Sequence, residues 1–223
     1  MADPDNLLAA LPQELSQGLF GKARVLTLAA DQVLFLAGDP GDSCYRVEDG
    51  LLKASVVAPA GSERILAIFG PGSIVGELAM IDGVPRSASV AALRPSKLSL
   101  ISRAAFDAYG REHPELYRHV MTLLARRLRE TNGALAATSF LPLKGRVARA
   151  LISLAEAFGN DVGGGRILVR QKVTQSDLAA MAGIARENVS RILKEWTDHK
   201  LVSRLAGYYC LENKAAIERE TSL

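Results

Sequence analysis

The sequence predicts an α+β chain with an N-terminal antiparallel β domain, one long helix, and a C-terminal winged helix-turn-helix domain. Short alternating runs separated by turn residues extend from Ala23 to about Arg103. A heptad-like pattern of apolar residues follows, and a helix-turn-helix pattern with a hairpin closes the chain. We expect boundaries at 1–112, 113–138 and 139–223.

The composition is that of a globular protein, with 48% hydrophobic and 23% charged residues. No apolar run approaches the roughly 18–20 residues of a membrane span, and the acidic N-terminus lacks the pattern of a signal peptide. We therefore expect a cytoplasmic protein without a membrane partner. Cys44 and Cys210 form no CxxC pair and are expected to be free thiols, Cys44 as a small core residue.

The predicted β domain consists of short strands with turn signals at regular spacing, which is typical of an antiparallel sandwich or barrel. Its turns are expected at Gly38–Asp42, Asp49-Gly50, Pro59–Gly61 and Gly70–Gly72. The expected strands are 25–28, 33–36, 51–57, 65–69, 87–93 and 98–101. A helical lead over 1–22, with Leu7, Leu8, Leu11 and Leu15 at near-helical spacing, precedes them.

The long helix is predicted from Pro114 to about Ala137. Its seam residues recur at spacings of four and three, as in a coiled coil: Tyr117, Met121, Leu124, Leu128, Thr131 and Leu135. This pattern predicts a homodimer through 114–137. The alternative is a helix that packs only on its own β domain.

The C-terminal part is predicted to begin with a hinge over 139–145 and a helix over 146–158. A glycine turn over 160–165 and a strand over 166–173 follow. The net charge is +3, and the whole basic excess lies in this part, which is compatible with binding a polyanion.

A motif over Phe69–Val90 suggests a nucleotide site. Gly76 permits close approach of a ligand to the backbone, at the start of a short helix whose free N–H groups suit a phosphate. Arg86 adds a charged donor fork for phosphate oxygens, and it is expected to start a strand. Glu77 would repel phosphate but can accept hydrogen bonds from a ribose hydroxyl. The alternative is an exposed ion pair between Glu77 and Arg86.

The complete string from Gly76 to Ala88 resembles the phosphate-binding cassette of cyclic-nucleotide-binding domains. The resemblance continues through Ala125–Asn132 and Phe140–Ala148, and we identify the chain as resembling the CRP/FNR superfamily over about residues 23–212. The family implies a β-roll for the first domain and cAMP as allosteric effector, with cGMP as the alternative. It implies that Gly76 and Glu77 contact the ribose, and that Arg86, Ser87 and the backbone N–H groups of Leu78 and Ala88 hold the cyclic phosphate.

The resemblance also assigns base contacts to the long helix. The two positions that contact adenine in cAMP-binding members of the family, one from each subunit, correspond to Thr131 and Asn132. A polar residue such as Thr131 on the seam should weaken packing unless a ligand pairs with it. The alternative is that Thr131 fixes the register of the two helices.

The helix-turn-helix is predicted over Val173–His199. Thr174 is a suitable N-cap for a helix over Gln175–Ala182 with Leu178 and Met181 turned inward, Gly183 forms the turn, and a second helix runs from Arg186 to His199. Val189, Ile192, Leu193 and Trp196 form its apolar face, and a wing is expected over 201–212. The residues assigned to DNA are Thr174, Gln175, Arg186, Glu187, Asn188, Ser190, Arg191 and Lys194.

Arginine pairs with guanine and glutamate accepts from cytosine in the major groove, which suits the outer face of this second helix. Its Arg186-Glu187-x(3)-Arg191 pattern also resembles the recognition helix of the family, which implies promoter DNA and RNA polymerase as partners. The alternative is a solvated, salt-bridged face.

Other chemistry is not expected. His113, His119 and His199 lack ligand spacing, so no metal site is predicted, and the absence of a nucleophile arrangement or Walker loop predicts no enzyme and no catalytic residue. The alternatives left open are the same DNA-binding scaffold with another effector (haem or redox) or none, and a cyclic-nucleotide-binding regulatory module of an enzyme.

Overall fold

The computed structural model describes residues 11–221 of the chain, so Leu7 and Leu8 of the expected helical lead lie outside the described residues. The described chain divides into two compact units, and the boundary in the sequence falls between Arg129 and Glu130. The first holds an antiparallel sheet and the second a helix-turn-helix, so the predicted α+β class is confirmed. In the described residues no helix combines the length and apolar character that crossing a membrane requires.

The first unit is built on one six-stranded antiparallel sheet in the order β1-β6-β3-β4, with β2 also paired to β6 and β5 to β3. Its strands are β1 (Arg24–Leu28), β2 (Val33–Phe35), β3 (Ser43–Val57), β4 (Glu63–Phe69), β5 (Ile74–Val75) and β6 (Ser89–Ser102). Buried residues from five of them form one apolar cluster, among them Leu28, Val47, Phe69, Val75 and Leu98. The sheet therefore encloses this apolar cluster, as a roll does.

Two expectations about the strands were wrong. Asp49-Gly50 does not end a strand, because β3 continues through it with register shifts against β6, and the positive φ of Gly50 (96°) accommodates the irregularity. The two expected strands over 87–93 and 98–101 are likewise one strand, β6. It begins at Ser89, so Arg86 lies in the loop before the strand and does not start it.

Three helices pack around the roll. They are α1 (Gln13–Phe20), α2 (Glu77–Asp82) and α3 (Arg103–Glu112). A second cluster joins Leu15 and Phe20 of α1 to Cys44, Met80 and Phe106. Cys44 is 2% exposed, so its prediction as a core residue is confirmed. Burial, together with the nearby charge of Glu77, raises the pKa of its thiol to about 12.

The long helix α4 (Glu115–Phe140) extends three residues beyond its expected end at Ala137. Leu116 is fully buried in the first unit, and Val120 packs against the same cluster. The seam residues predicted for the dimer do not include Leu116 or Val120. Several seam side chains are exposed on this chain: the exposed fraction is 63% for Met121 and 67% for Leu135. The helix therefore has one apolar face packed on the first unit and a second apolar face that residues 11–221 leave exposed.

The second unit contains helices α5 (Leu143–Phe158), α6 (Gln175–Ala182), α7 (Arg186–Asp198) and α8 (Lys214–Arg219). Its sheet has the order β7-β8-β10-β9 and comprises β7 (Gly159–Asp161), β8 (Ile167–Val169), β9 (Val202–Leu205) and β10 (Tyr208–Leu211). The helix α5 begins three residues before the expected start at Arg146, and β8 is shorter than the expected strand over 166–173.

The predicted wing is confirmed as the β9–β10 hairpin. Leu205 pairs with Tyr208 across a two-residue turn in which Ala206 and Gly207 both have positive φ, 50° and 90°. Such a turn matches the twist of the flanking strands, and glycine adopts it without strain.

Candidate nucleotide pocket and DNA-binding helix

The predicted ligand motif folds into a compact pocket at the start of α2. Gly76 is the N-cap of this helix and has a left-handed conformation, with φ 80°. Because the chain turns at Gly76, the carbonyl oxygen of Gly76 faces Arg86 and accepts a hydrogen bond from Arg86 Nη1 at 2.6 Å. The structure therefore brings Gly76, Glu77 and Arg86 together, as the motif predicted.

Arg86 is buried, with 5% of its surface exposed. Its Nη1 also donates to the Ser43 carbonyl at 2.9 Å, and its Cζ lies 4.3 Å from the centre of the Phe35 ring. Its Nε is buried and has no hydrogen-bond partner among the described residues. A buried guanidinium with an unused N–H is a donor prepared for an anionic acceptor.

Glu77 is also 5% exposed, but it does not pair with Arg86. Its carboxylate accepts from Nη1 of Arg127, while Nη2 of Arg127 donates to the Ile74 carbonyl. The alternative of an exposed Glu77–Arg86 ion pair is therefore wrong. The Glu77 charge is compensated by a different arginine, which leaves the Arg86 charge available.

Sequence reasoning missed Arg127 and Phe35. Arg127 belongs to a run of basic residues on α4, and neither spacing nor residue type distinguishes it from Arg126 or Arg129. Phe35 was assigned only to a strand. In the sheet Phe35 pairs with Val90, close to the loop that contains Arg86. This is a tertiary contact, and the periodicity of the sequence does not reveal it.

The remaining motif residues surround the same turn. Leu78 follows Glu77 on α2, and Ser87 and Ala88 follow Arg86 in the loop before β6. Leu78 and Ser87 are exposed, whereas Ala88 packs against the core of the roll. Thr131 and Asn132 lie on α4 after Arg129, in the second unit, and both are exposed on the chain.

The helix-turn-helix forms as predicted. Thr174 caps α6 by accepting from the Asp177 N–H at 3.0 Å, and the Asp177 carboxylate accepts from the Thr174 N–H, which completes a capping box. Gly183 ends the helix in a left-handed conformation, φ 65°. Leu178 is fully buried, but Met181 is only half-buried, because Ala179 and Ala182 occupy the inward positions.

The helix α7 has a sharply divided surface. Trp196 is 1% exposed, and Val189, Ile192 and Leu193 are buried with it. The opposite face exposes Arg186, Glu187, Ser190, Arg191 and Lys194. This face carries three cations and one carboxylate, and its charged residues begin at the N-terminus of the helix, which is the end that enters the major groove in helix-turn-helix proteins.

Three of the residues assigned to DNA, Thr174, Asn188 and Arg191, already have side-chain partners within the domain. Asn188 is half-buried, and its Oδ1 accepts from Nη2 of Arg191 at 2.9 Å. This bond orients the Arg191 guanidinium. The Thr174 hydroxyl donates to Asp177 at 2.6 Å. Gln175, next to it, is the first residue of α6.

Comparison with known proteins gives two family matches. The family model described as "Cyclic nucleotide-binding domain" matches residues 25–113, and the model described as "Crp-like helix-turn-helix domain" matches residues 145–220. Together they span the pocket and the helix-turn-helix described above.

Curated relatives agree with both models. The chain is 36% identical to the "CRP-like cAMP-activated global transcriptional regulator" of Mycobacterium tuberculosis (strain ATCC 25618 / H37Rv) over 78% of this chain and 77% of the relative. It is 34% identical to the "Cyclic AMP receptor protein" of Thermus thermophilus over 83% and 82%.

Among solved structures, FixK2 from Bradyrhizobium japonicum superposes with a TM-score of 0.80 at 17% identity, over 90% of this chain and 98% of that one, and shows the same fold. The pocket at Arg86, the exposed charged face of α7 and these matches lead to one conclusion: the chain belongs to the CRP/FNR family of cyclic-nucleotide-responsive transcription regulators.

Proposed function

We propose that this protein is a homodimer that binds cAMP and, in that state, binds palindromic promoter DNA. The observation that carries the proposal is the buried Arg86 guanidinium beside Gly76 and Glu77, with its Nε–H unused. A cyclic phosphate carries one negative charge, which one arginine can neutralise. The two relatives named for cAMP support cAMP as effector, and cGMP is the alternative.

In this proposal the pocket residues divide between phosphate and sugar. Arg86, Ser87 and the backbone N–H groups of Leu78 and Ala88 would hold the cyclic phosphate, and Gly76 and Glu77 would contact the ribose 2′-hydroxyl. Glu77 would then accept from the ribose and from Arg127 at once, which its two oxygens allow.

Thr131 and Asn132 are the proposed base-reading residues, one from each subunit of the dimer. Both side chains are exposed on a single chain, and a hydroxyl and an amide can pair with either adenine or guanine. They are therefore the proposed determinants of the preference for cAMP over cGMP.

The dimer is proposed to form through the seam of α4. Met121, Leu128 and Leu135 are each more than 60% exposed on the chain, although they are large and apolar. A stripe of this kind at heptad spacing is stabilised when a second helix covers it. Two-fold symmetry then presents two copies of α7 to the DNA.

The DNA proposal assigns base contacts to Arg186, Glu187 and Arg191 and further DNA contacts to Thr174, Gln175, Asn188, Ser190 and Lys194. Half-site centres should lie about one helical turn, roughly 34 Å, apart. The match of Arg186-Glu187-x(3)-Arg191 to the family supports a TGTGA-like half-site. We further propose a cytoplasmic regulator without enzymatic activity that contacts RNA polymerase at its promoters.

Calorimetric titration of the full chain with cAMP and cGMP, side by side, tests the effector. We expect saturable binding of cAMP, one molecule per subunit, and weaker binding of cGMP. Absence of binding for both nucleotides would contradict the proposal and favour the same scaffold with another effector or none.

A further inference from the structure

The guanidinium of Arg86 lies against aromatic side chains from outside the Gly76–Ala88 motif. Phe35 of β2 stacks on it at 4.3 Å, and Tyr45 of β3 lies at 6.0 Å, both measured from Cζ to the ring centre. The two rings are 6.1 Å apart. We call the space between these rings and the chain at Gly41, Ser43 and Gly76 the Arg86 slot.

Gly41 closes the slot from the side of the β2–β3 loop. A β-carbon added at Gly41 would overlap Nε and Cζ of Arg86 and would lie 2.7 Å from Nη2. Gly41 is not among the residues with positive φ, so its backbone conformation is open to any residue. The guanidinium itself is therefore what excludes a side chain at position 41.

Backbone hydrogen bonds fix the β2–β3 loop, which forms one side of the slot, relative to Arg86. The Arg86 N–H donates to the Asp39 carbonyl, and the Gly38 N–H donates to the Arg86 carbonyl, both at 2.8 Å. Within the loop, the Leu36 N–H donates to the Asp39 carboxylate at 2.8 Å. These bonds fix Phe35, which ends β2, and Gly41, which lies in the β2–β3 loop, relative to the backbone of Arg86.

This arrangement restricts the arginine before any ligand arrives. A free arginine side chain loses much rotamer freedom when it is immobilised by an anion. In the slot that freedom is already lost, because the Phe35 ring packs against the guanidinium and Nη1 donates to the carbonyl oxygens of Ser43 and Gly76. The Nε–H is left without a partner among the described residues. Such preorganisation increases affinity for the ligand that the fixed group binds.

We propose that Phe35 and Gly41 are positioning residues for the nucleotide phosphate: Phe35 orients Arg86 by cation–π stacking, and Gly41 leaves room for its guanidinium. This inference rests on the proposed function, in that it takes a cyclic nucleotide as the ligand. Neither residue contacts the ligand in the proposal; both act through Arg86.

Calorimetry of the full chain with cAMP measures the effect. Phe35→Leu should lower the affinity about three- to thirtyfold, the range from an exposed to a desolvated cation–π contact, and Phe35→Tyr should restore it. Gly41→Ala should lower it about tenfold or more, because the new methyl group displaces a fixed charge-assisted donor. Val33→Ala, on the same strand and half-exposed, is the control and should bind like the wild type.

A second readout does not depend on the nucleotide. In an ¹⁵N–¹H spectrum of the arginine Nε groups, the Arg86 signal, assigned by its loss in Arg86→Lys, should be shifted upfield by the Phe35 ring. Phe35→Leu should remove that shift while the rest of the spectrum keeps its native dispersion. Loss of the ring removes this shift whatever the role of Phe35, so the deciding quantity is the ¹⁵N order parameter of Arg86 Nε. A positioning role predicts that the order parameter falls in Phe35→Leu, and a purely space-filling role predicts that it stays at the wild-type value.

The two proposals fail differently. If the wild type binds cAMP while Phe35→Leu and Gly41→Ala bind it equally well, this inference is overturned and the proposed function stands. If the wild type binds neither cAMP nor cGMP, the proposed function is overturned and this inference with it. Variants that unfold, judged by lost dispersion, are replaced by Phe35→Met and Gly41→Ser, for which the same losses are expected.

Discussion

Arg127 on α4 donates to the carboxylate of Glu77, the residue that opens α2. This pair joins the long helix to the nucleotide pocket within the first unit, and the Glu77 side chain is only 6% exposed in it. Removing the arginine would leave a carboxylate buried without its partner, which is more costly than losing an exposed ion pair. The pair is therefore a stabilising contact of the pocket as well as a neighbour of the proposed ribose site.

Arg127→Met should lower the free energy of unfolding by about 2 kcal/mol, the range for a hydrogen-bonded charge left unpaired. Urea denaturation followed by circular dichroism measures it. Arg129→Met, two residues later and exposed, is the matched control, and an equal loss in both variants would contradict the assigned role of the pair.

Arg86→Leu should abolish detectable cAMP binding and leave the protein folded and dimeric. Two charge-assisted hydrogen bonds, each worth about 1.5–3 kcal/mol, correspond to a loss of at least about 100-fold in affinity. Titration calorimetry and sedimentation together measure binding and assembly. Lys97→Leu, which removes an exposed cation from β6, should bind cAMP normally. Unchanged affinity in Arg86→Leu would end the assignment of the pocket.

Thr131→Ala and Asn132→Ala should weaken nucleotide binding less than Arg86→Leu does, and they should change the ratio of cAMP to cGMP affinity. The reason is that these side chains are proposed to read the base and not the phosphate. Competition titrations with both nucleotides give the ratio. If both variants keep the wild-type ratio, the base is read by other residues.

Cys44 should be nearly inert to alkylation in the folded protein. Its pKa is raised to about 12 by burial and by Glu77, so its thiolate fraction near neutral pH is about 1000-fold below that of a thiol at the reference value of 9.0. Iodoacetamide labelling of a Cys210→Ala variant at pH 8, with urea-unfolded protein as control, checks this. Rapid labelling of the native protein at Cys44 would contradict the buried position.

The elements set by local chemistry could be predicted to within a residue. The capping box at Thr174 and the left-handed Gly183 fix α6, and the Ala206-Gly207 turn fixes the wing. The continuation of β3 through Asp49-Gly50 could not be predicted, because a register shift against a distant strand accommodates a glycine that looks like a turn. Tertiary pairing overrode the local signal there.

The same distinction applies to the pocket. Gly76, Glu77 and Arg86 are close in sequence, and their motif identified them. Arg127 and Phe35 come from other parts of the chain, fifty residues or so away from the residues they touch, and only the fold brings them there. The sequence also suggested that Glu77 and Arg86 could pair, whereas in the structure each has different partners.

Arg186 and Lys194, both proposed to contact DNA, are expected to affect binding in different ways. Arg186→Ala should relax specificity at one symmetric pair of positions, at a cost of about 1–3 kcal/mol for the preferred base. Lys194→Ala, if Lys194 contacts phosphate, should weaken binding to all sequences alike. Quantitative binding to a panel of single-base variants of one operator separates the two effects. Equal profiles for both variants would contradict the assigned base contact.

Selection of binding sites from random duplex DNA, run in parallel with saturating cAMP and without nucleotide, tests the central claim most directly. We expect a palindromic consensus with half-site centres about one helical turn apart, enriched only when cAMP is present. An asymmetric consensus, or equal enrichment with and without cAMP, would contradict a nucleotide-activated dimer.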